Sequence, residues 1–296
     1  MRAIVVREAG GPEVLQIAEV PDTIAEKGYV LVRVEAAAVN HIDVSQRAGM
    51  GGVALPFTPG FDAAGTRVDS GERVLVSGQI CCYAELVAAP AELVYSIPDT
   101  LDVAEAAALG IAYRTAWAAL EAGGLEEGGT LLVQAGSSGT GQACIDIGRS
   151  FGAKVYATAS DDKLERLRDL SVEPLAYNDP RIAELEANVV FDPVGGETYE
   201  SSLAALKSGG KIVTPGALGK PVAPVNIWTL VAKGATIIGV GAAAVSREHV
   251  EQLIELAGRG KLQPAVDRVL PLEQAAEAHR MVEERRVLGK IVLQVG

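Results

Sequence analysis

The sequence predicts an α/β protein: a doubly wound parallel sheet in the middle of the chain, with a β-rich domain before it that the tail completes. Three observations carry this reading. From residue 108 onward, apolar strands alternate with helical segments, the pattern of βαβ units. One unit contains the small-residue turn Ala135-Gly136-Ser137-Ser138-Gly139-Thr140-Gly141, between the apolar run Leu131-Leu132-Val133 and a helix with Ala143, Ile147 and Phe151 on one face. Residues 1–107 instead read as short β-rich runs punctuated by Gly and Pro. The expected boundaries are 1–107 for the first part of the β-rich domain, 108–246 for the doubly wound domain and 247–296 for the return to the first.

In order, strands are expected at 3–6, 30–34, 72–76, 83–87 and 93–96, with turns at Gly49, Gly51-Gly52, Pro56, Pro59-Gly60 and Gly65. An Ala-rich helix follows from 103 to 120. The alternation then runs strand 131–134, helix 141–151, strand 155–158, helix 163–170, strand 189–191, helix 197–206, and strands 211–214 and 237–240. The tail reads as helix 247–263, strand 268–270, helix 273–284 and strand 290–294.

The turn is the candidate binding site. A strand that ends in small residues and opens a helix presents backbone N–H groups and the positive end of the helix dipole to a pyrophosphate. Its spacing, Gly136-x-x-Gly139-x-Gly141, departs from G-x-G-x-x-G, because Ser138 stands where the second glycine would be. Serine is small enough for a phosphate to approach, and its hydroxyl can donate. Gly136, Ser137, Ser138, Gly139, Thr140 and Gly141 are therefore the expected pyrophosphate residues.

The next strand ends in Ala159 and Ser160, followed by Asp161, Asp162 and Lys163. An Asp or Glu at that strand end would hold a ribose 2′-OH and repel a 2′-phosphate. Ser160 and Lys163 would accept the phosphate, which favours NADPH over NADH; the bland alternative is that Ser160 caps a helix and Lys163 is solvated on its first turn. Pro193 and Val194, in Asp192-Pro193-Val194-Gly195-Gly196, should border the nicotinamide, with Val194 as an apolar wall and the glycines allowing close approach. Gly216, Ala217 and Gly241, after the following strands, extend that cradle.

Composition limits the remaining possibilities. The 296 residues carry a net charge of −12, which disfavours nucleic acid and anionic membranes. No apolar run approaches a membrane span, and Arg7 and Glu8 interrupt the start where a secretory signal would be apolar. Three cysteines, two of them the adjacent Cys81 and Cys82, suit a reducing cytoplasm. His41, His249 and His279 are scattered and no C-x-x-C or H-x-x-x-H spacing occurs, so no metal site is expected.

An ordered series of motifs adds a resemblance. It includes Val39-Asn40-His41-Ile42-Asp43, Pro59-Gly60-Phe61-Asp62-Ala63-Ala64-Gly65, Tyr83-Ala84-Glu85, the 135–141 turn, the 191–196 segment, Gly209-Gly210-Lys211 and Gly289-Lys290-Ile291-Val292-Leu293. Over essentially its whole length the chain resembles the zinc-free medium-chain dehydrogenase/reductases, closest to the quinone oxidoreductases and zeta-crystallin-like reductases. The resemblance implies a GroES-like catalytic domain split around a Rossmann domain, with the active site in the cleft between them. It also implies a homodimer joined edge to edge across 237–242, and a role for Tyr177 beside the adenosine 2′-phosphate. Zinc-dependent relatives place ligands near Asn40, at Phe61 and near Ile111, where none stands here. The loop after Gly65 is shortened, Cys81-Cys82 replaces a Gly-Gly, and Ser45 stands where a tyrosine is common. With the shortened loop, Ser45 should open one wall of the cleft to large flat acceptors.

The expected activity is NADPH-dependent reduction of a small-molecule quinone or α,β-unsaturated carbonyl, with the cofactor carrying the hydride. Asn40 is the candidate to orient the nicotinamide ribose or polarise a carbonyl, and Tyr113 to stack or donate a proton. Asp43 is expected to pair with Arg47 at i, i+4 rather than give up protons. Two alternatives remain open at this point: an enoyl-thioester reductase, and a dinucleotide-binding protein with a structural role of the lens-crystallin kind.

Overall fold

The computed structural model describes residues 1–168, 172–241 and 245–296. The chain forms two compact units, Met1–Ala112 with Ser246–Gly296, and Tyr113–Val245. The first boundary lies within the Ala-rich helix, which spans 103–123, just after its break at Gly110.

The first unit begins with β1 (Arg2–Val5), β2 (Gln16–Glu19), β3 (Tyr29–Ala38), α1 (His41–Arg47), β4 (Asp62–Arg67), β5 (Arg73–Ser77), β6 (Leu86–Pro90), β7 (Val94–Ser96) and α2 (Val103–Gly123). The second unit contains β8 (Thr130–Val133), α3 (Gly139–Ser150), β9 (Lys154–Ala159), α4 (Leu164–Arg168), β10 (Glu173–Ala176), β11 (Ala187–Phe191), α5 (Tyr199–Ala205), β12 (Leu206–Thr214), α6 (Ile227–Lys233) and β13 (Thr236–Gly239). The tail returns as α7 (Arg247–Gly258), β14 (Val266–Pro271), α8 (Ala275–Glu283) and β15 (Lys290–Gln294). The sequence reading placed a helix at 163–170; α4 covers Leu164–Arg168 among the described residues, and residues 169–170 of the expected helix lie outside them.

In the first unit β14-β15-β3-β4-β5-β7 form one sheet, and β6 also pairs with β3. Val30, Val32 and Val34 alternate inward along β3 and pack with Ile4, Val76, Val87, Ile291 and Leu293 in the core. Alternation of this kind marks a sheet with one buried face. Near the end of β3 its register shifts between Val34 and Ala36, and a Cβ at Gly65 of β4 would lie 2.0 Å from the Arg33 carbonyl oxygen. Only glycine fits there.

In the second unit every ladder is parallel and the order is β10-β9-β8-β11-β12-β13. The order reverses between β8 and β11, so the crevice at their carboxyl ends is the topological switch point. Leu131, Leu132, Val133, Val190 and Phe191 are buried on these central strands, as expected when both faces of a parallel sheet are covered. Ile145 and Ile147 of α3 are buried as well, and Gly148 lets that helix settle on Leu131, whose side chain lies 2.7 Å from where a Cβ would be. The switch point is thus held from both faces.

Candidate active site

Chain direction and packing set the geometry of the glycine turn. Ala135, just past β8, adopts φ 53°, a left-handed conformation that costs a non-glycine residue about 1–2 kcal/mol. Gly136 then donates to the Thr158 carbonyl (2.7 Å), which fastens the turn to β9, and Ser138 donates to the Ala135 carbonyl (2.9 Å). Ser138 caps α3 by accepting from the Gly141 N–H (3.0 Å). A Cβ at Gly141 would sit 2.4 Å from the Ala135 carbonyl oxygen, and one at Gly136 would sit 2.7 Å from the Ala157 Cβ. The first N–H groups of the helix, on Gly139 and Thr140, have no helical carbonyl to reach. Unpaired N–H groups at the positive end of a helix dipole are the kind of group that binds an anion.

At the end of β9, Ser160 begins the short 3-10 turn Asp161–Lys163. A hydrogen bond from the Ser160 side chain holds the exposed Asp162 carboxyl below its usual range. Lys163 is buried, only 9% exposed, so it is not the solvated first-turn lysine of the bland alternative. Tyr177 follows β10 and is 41% exposed.

The Asp192–Gly196 segment differs from expectation. The buried Asp192 carboxylate accepts from the N–H groups of Val194 (2.9 Å) and Gly195 (3.2 Å) and from Thr198 Oγ1 and Ser202 Oγ. Gly195 has φ 94°, and a Cβ there would lie 2.6 Å from the Lys220 carbonyl oxygen; at Gly196 it would lie 2.3 Å from that of Val222. These glycines make room for the chain's own 218–222 segment, which also donates to the Pro193 and Val194 carbonyls, and not for a ligand. Pro193 and Val194 are buried beneath it. Gly216 and Gly241, by contrast, have no atoms of the described residues within 4 Å of a built Cβ, and Ala217 beside Gly216 is exposed. The open part of the carboxyl edge lies beyond β12 and β13.

In the first unit, Asn40 and Asp43 sit in a buried polar cluster. Asn40 donates through Nδ2 to Asp62 Oδ2 (2.8 Å) and to the Ala38 carbonyl (3.3 Å), and its Oδ1 accepts from Lys290 Nζ (2.5 Å). Both amide hydrogens are thereby committed, so Asn40 has no donor left to polarise a substrate carbonyl. Asp62 also accepts from Ser77 Oγ (2.9 Å) and from the Ile111 N–H (3.0 Å), which is freed by the break in α2 at Gly110.

The expected Asp43–Arg47 pair is not formed. Arg47, 1% exposed, pairs instead with Glu283 of α8. Asp43 Oδ2 accepts from the Asn40 N–H (2.8 Å) and from Tyr83 Oη (3.1 Å), which also contacts His279 Nε2 (3.2 Å). Burial pushes the Asp43 carboxyl up to about 7, against the opposing pull of its bond to Asn40 and of the Lys290 charge. The same loss of solvent lowers Lys290, and burial lowers His279 to about 3. Tyr113 belongs to the second unit, where it is 2% exposed and donates to Asp146 Oδ2 (2.7 Å). That makes it a core residue tied to α3, with its hydroxyl hydrogen in use.

The shortened loop after Gly65 closes as a tight turn, with Arg67 N–H donating to the Glu72 carbonyl (2.8 Å) and its guanidinium paired with Asp69 and Glu72. It lies at the far end of β4 from Asp62, about 16 Å along the strand. The loop therefore does not border the Asn40 cluster. Of the two features expected to widen the pocket, Ser45 lies on α1, two residues from Asp43.

The sequence reading missed Asp62, Tyr83, His279 and Lys290 of this cluster, and Gln134, Thr158 and Ser202 in the second unit. Polar residues inside apolar strand runs were the available signal, as with Gln134 after Leu131-Leu132-Val133 and Lys290 before Ile291-Val292-Leu293.

Known proteins place this geometry. Residues 26–99 match the alcohol dehydrogenase GroES-like domain, and residues 173–293 a domain described as zinc-binding dehydrogenase. The quinone oxidoreductase of Mus musculus is 31% identical over 324 residues, covering 99% of this chain and 97% of the mouse protein. Among solved structures, an NAD-dependent alcohol dehydrogenase is similar with TM-score 0.92 and 34% identity. A mycobacterial protein complexed with NADPH is similar with TM-score 0.90 and 28% identity; both comparisons cover 100% of each chain. A GroES-like sheet together with a six-stranded parallel sheet and its glycine turn defines a medium-chain dehydrogenase/reductase. Within that class, the chain belongs to the quinone oxidoreductase family. Asn40, Phe61 and Ile111 offer no thiolate, imidazole or carboxylate, and among the described residues no group of three or more His, Cys, Asp or Glu could hold a metal ion. These residues do not fit the zinc that the second domain's description names.

Two outcomes follow. Gly141→Val should abolish dinucleotide binding by titration while far-UV circular dichroism stays near wild type, because the added branch displaces the Ala135 carbonyl; normal binding would contradict the assignment of the turn. For Asp43, a folded value above the unfolded one means full stability below about pH 4 and a loss as pH rises through 7. Asp43→Asn should therefore gain on the wild type by a few kcal/mol in chemical denaturation between about pH 4 and 7, then level off. A pH-independent difference would contradict this.

Proposed function

We propose that the protein reduces quinones, and α,β-unsaturated carbonyl compounds, with NADPH and without zinc. The observation that carries this reading is the carboxyl edge of the parallel sheet, where the N–H groups opening α3 lie at the end of β8 and Gly216, Gly239 and Gly241 leave open space among the described residues at the ends of β12 and β13. The 136–141 turn would hold the pyrophosphate, and Gly216, Ala217 and Gly241 the nicotinamide half. Pro193 and Val194 would support that half from beneath the 218–222 segment. Ser160, the positive charge of Lys163 and the ring of Tyr177 would take the 2′-phosphate. Because β9 ends on Ala159 and Ser160, no carboxylate at that position repels it. The related NADPH complex supports this choice, and the related NAD-dependent enzyme is the reason to measure it.

The nicotinamide, when bound, supplies the hydride. What the chain adds is orientation and exclusion of water. The anion of a reduced quinone is delocalised and takes its proton from solvent, so no dedicated acid is needed. In this reading Asn40 and Asp43 position their surroundings and do not transfer protons, since Asp43 is fully buried and both Asn40 hydrogens are used. Ser45 in place of a ring favours large flat acceptors, which gain about 25 cal/mol per Å² of apolar surface buried.

We also read the protein as a cytoplasmic homodimer. Cys81, Cys82 and Cys144 are free thiols, consistent with a reducing compartment. Strand β13 is an edge strand of its sheet, and nearby apolar side chains are exposed: Ile237 on the strand, and Ile227, Trp228 (83%) and Val231 on α6. An exposed edge with apolar neighbours is covered by a second copy in this reading. Ala242, at the end of the expected dimer edge, lies outside the described residues. Among the described residues no helix is long and apolar enough to cross a membrane.

Steady-state oxidation of NADPH with 9,10-phenanthrenequinone and with cyclohexenone tests the activity. Turnover should be faster with the quinone, survive exhaustive chelation, and show at least about tenfold tighter binding of NADPH than of NADH. Absence of turnover with either acceptor, or loss on chelation restored by zinc, would overturn the reading. In sedimentation velocity the wild type should run as a dimer and Trp228→Glu as a monomer; a wild type that stays monomeric at every concentration would contradict the assembly.

A further inference from the structure

We propose that Gln134 is a positioning residue for the dinucleotide, linking the glycine turn to the Asp192 loop through a buried, one-directional chain of hydrogen bonds. The proposal rests on the reading that the 136–141 turn binds the cofactor. The chain crosses the carboxyl ends of three adjacent strands, β9, β8 and β11. Thr158 Oγ1, on β9, accepts from the Ala135 N–H (3.2 Å) and donates to Gln134 Oε1 (2.6 Å). Gln134 Nε2 donates to Ser202 Oγ (3.1 Å), and Ser202 Oγ donates to Asp192 Oδ2 (2.7 Å). Asp192 Oδ1 holds the N–H groups of Val194 and Gly195. Gln134, Thr158, Ser202 and Asp192 are each 0% exposed, so no water competes for these bonds.

The direction of the chain is fixed at one end. Four donors converge on the Asp192 carboxylate, which only accepts. Ser202 must spend its one hydroxyl hydrogen there, so it can only accept from Gln134. A flipped Gln134 amide would set its oxygen against the Ser202 oxygen with no hydrogen between them. Its Oε1 therefore faces Thr158, whose hydrogen is used in turn, leaving a Thr158 lone pair for the Ala135 N–H. Ala135 is the residue with φ 53° that launches the turn. A strained residue persists only where its neighbours over-determine it, and this chain supplies that constraint.

Thr158→Val tests the chain without changing side-chain shape, and Thr158→Ser restores the hydroxyl. Each is made in the full-length protein, alone and combined with Gln134→Leu, and titrated with NADPH and with 2′-phospho-ADP-ribose, which lacks nicotinamide. Thr158→Val should weaken both ligands by the same factor, about tenfold, the usual scale for a buried hydrogen bond lost. Thr158→Ser should bind like the wild type. The double variant Thr158→Val with Gln134→Leu should bind no worse than either single change, since the chain is already broken. In the ligand-free protein, amide hydrogen exchange over 134–142 should rise in Thr158→Val and not in Thr158→Ser. Near-wild-type affinity of Thr158→Val, fully additive losses, or unchanged exchange would each overturn the proposal. If Gln134→Leu does not fold, Ser202→Ala, which removes the acceptor of Gln134 Nε2 and leaves Thr158 in place, takes its part in the single and double variants with the same expected and contradicting results. A wild type that binds neither ligand would refute the cofactor reading itself, while the exchange result would still judge the chain of bonds.

Discussion

The carboxyl edge of the parallel sheet depends on one steric condition, the close approach of the Ala135 carbonyl to Gly141 Cα. A single Cβ at Gly141 would stand 2.4 Å from that oxygen. Because it is absent, α3 can begin directly over the end of β8, with Ser138 turning back to cap Gly141. The N–H groups of Gly139 and Thr140 are left without a helical carbonyl at the switch point, where negative charge is favoured by the helix dipole. The left-handed Ala135, the pinning of Gly136 to β9 and the packing of Gly148 on Leu131 all serve the same approach of helix to strand.

The first unit solves a different problem, that of burying charge. Asp62, Lys290, Asp43, Tyr83 and His279 lie in its interior, and such groups are tolerated only when hydrogen-bonded to one another. Lys290 and Asp62 meet through the two ends of the Asn40 amide, which orders that side chain. Asp43 Oδ1 is unbonded among the described residues, and burial raises its carboxyl against the opposing bond from the Asn40 N–H. Oδ1 of Asp43, Nε of Arg47 and Nδ1 of His279 are all buried without partners there, so this cluster is satisfied incompletely.

Features encoded locally were legible in the sequence. The glycine turn, the alternation after residue 108 and the final strand, 290–294, are signalled by residues close in the chain. Strand β4, Asp-Ala-Ala-Gly-Thr-Arg, was missed because it lacks the branched apolar residues that mark strands. Strand β10 was missed because it carries Pro174, which an edge strand tolerates. At the site, the errors came from partners distant in sequence. Arg47 has a carboxylate at helical spacing in Asp43, yet Glu283 takes it from 236 residues away. Gly195 and Gly196 look like a ligand approach until the 218–222 segment is seen to fill that space. Asn40 looks like a free amide until Lys290 and Asp62 occupy it.

The central claim is that a dinucleotide lies with its pyrophosphate on the first turn of α3 and its nicotinamide half toward Gly216 and Gly241. A crystal structure of the protein grown with NADPH tests this most directly. The account predicts phosphate oxygens within hydrogen-bond distance of the Gly139 and Thr140 N–H groups, with Asp192 and its loop unmoved beneath the 218–222 segment. Phosphates bound away from α3, or a nicotinamide that displaces the 218–222 segment to reach Gly195 and Gly196, would contradict it.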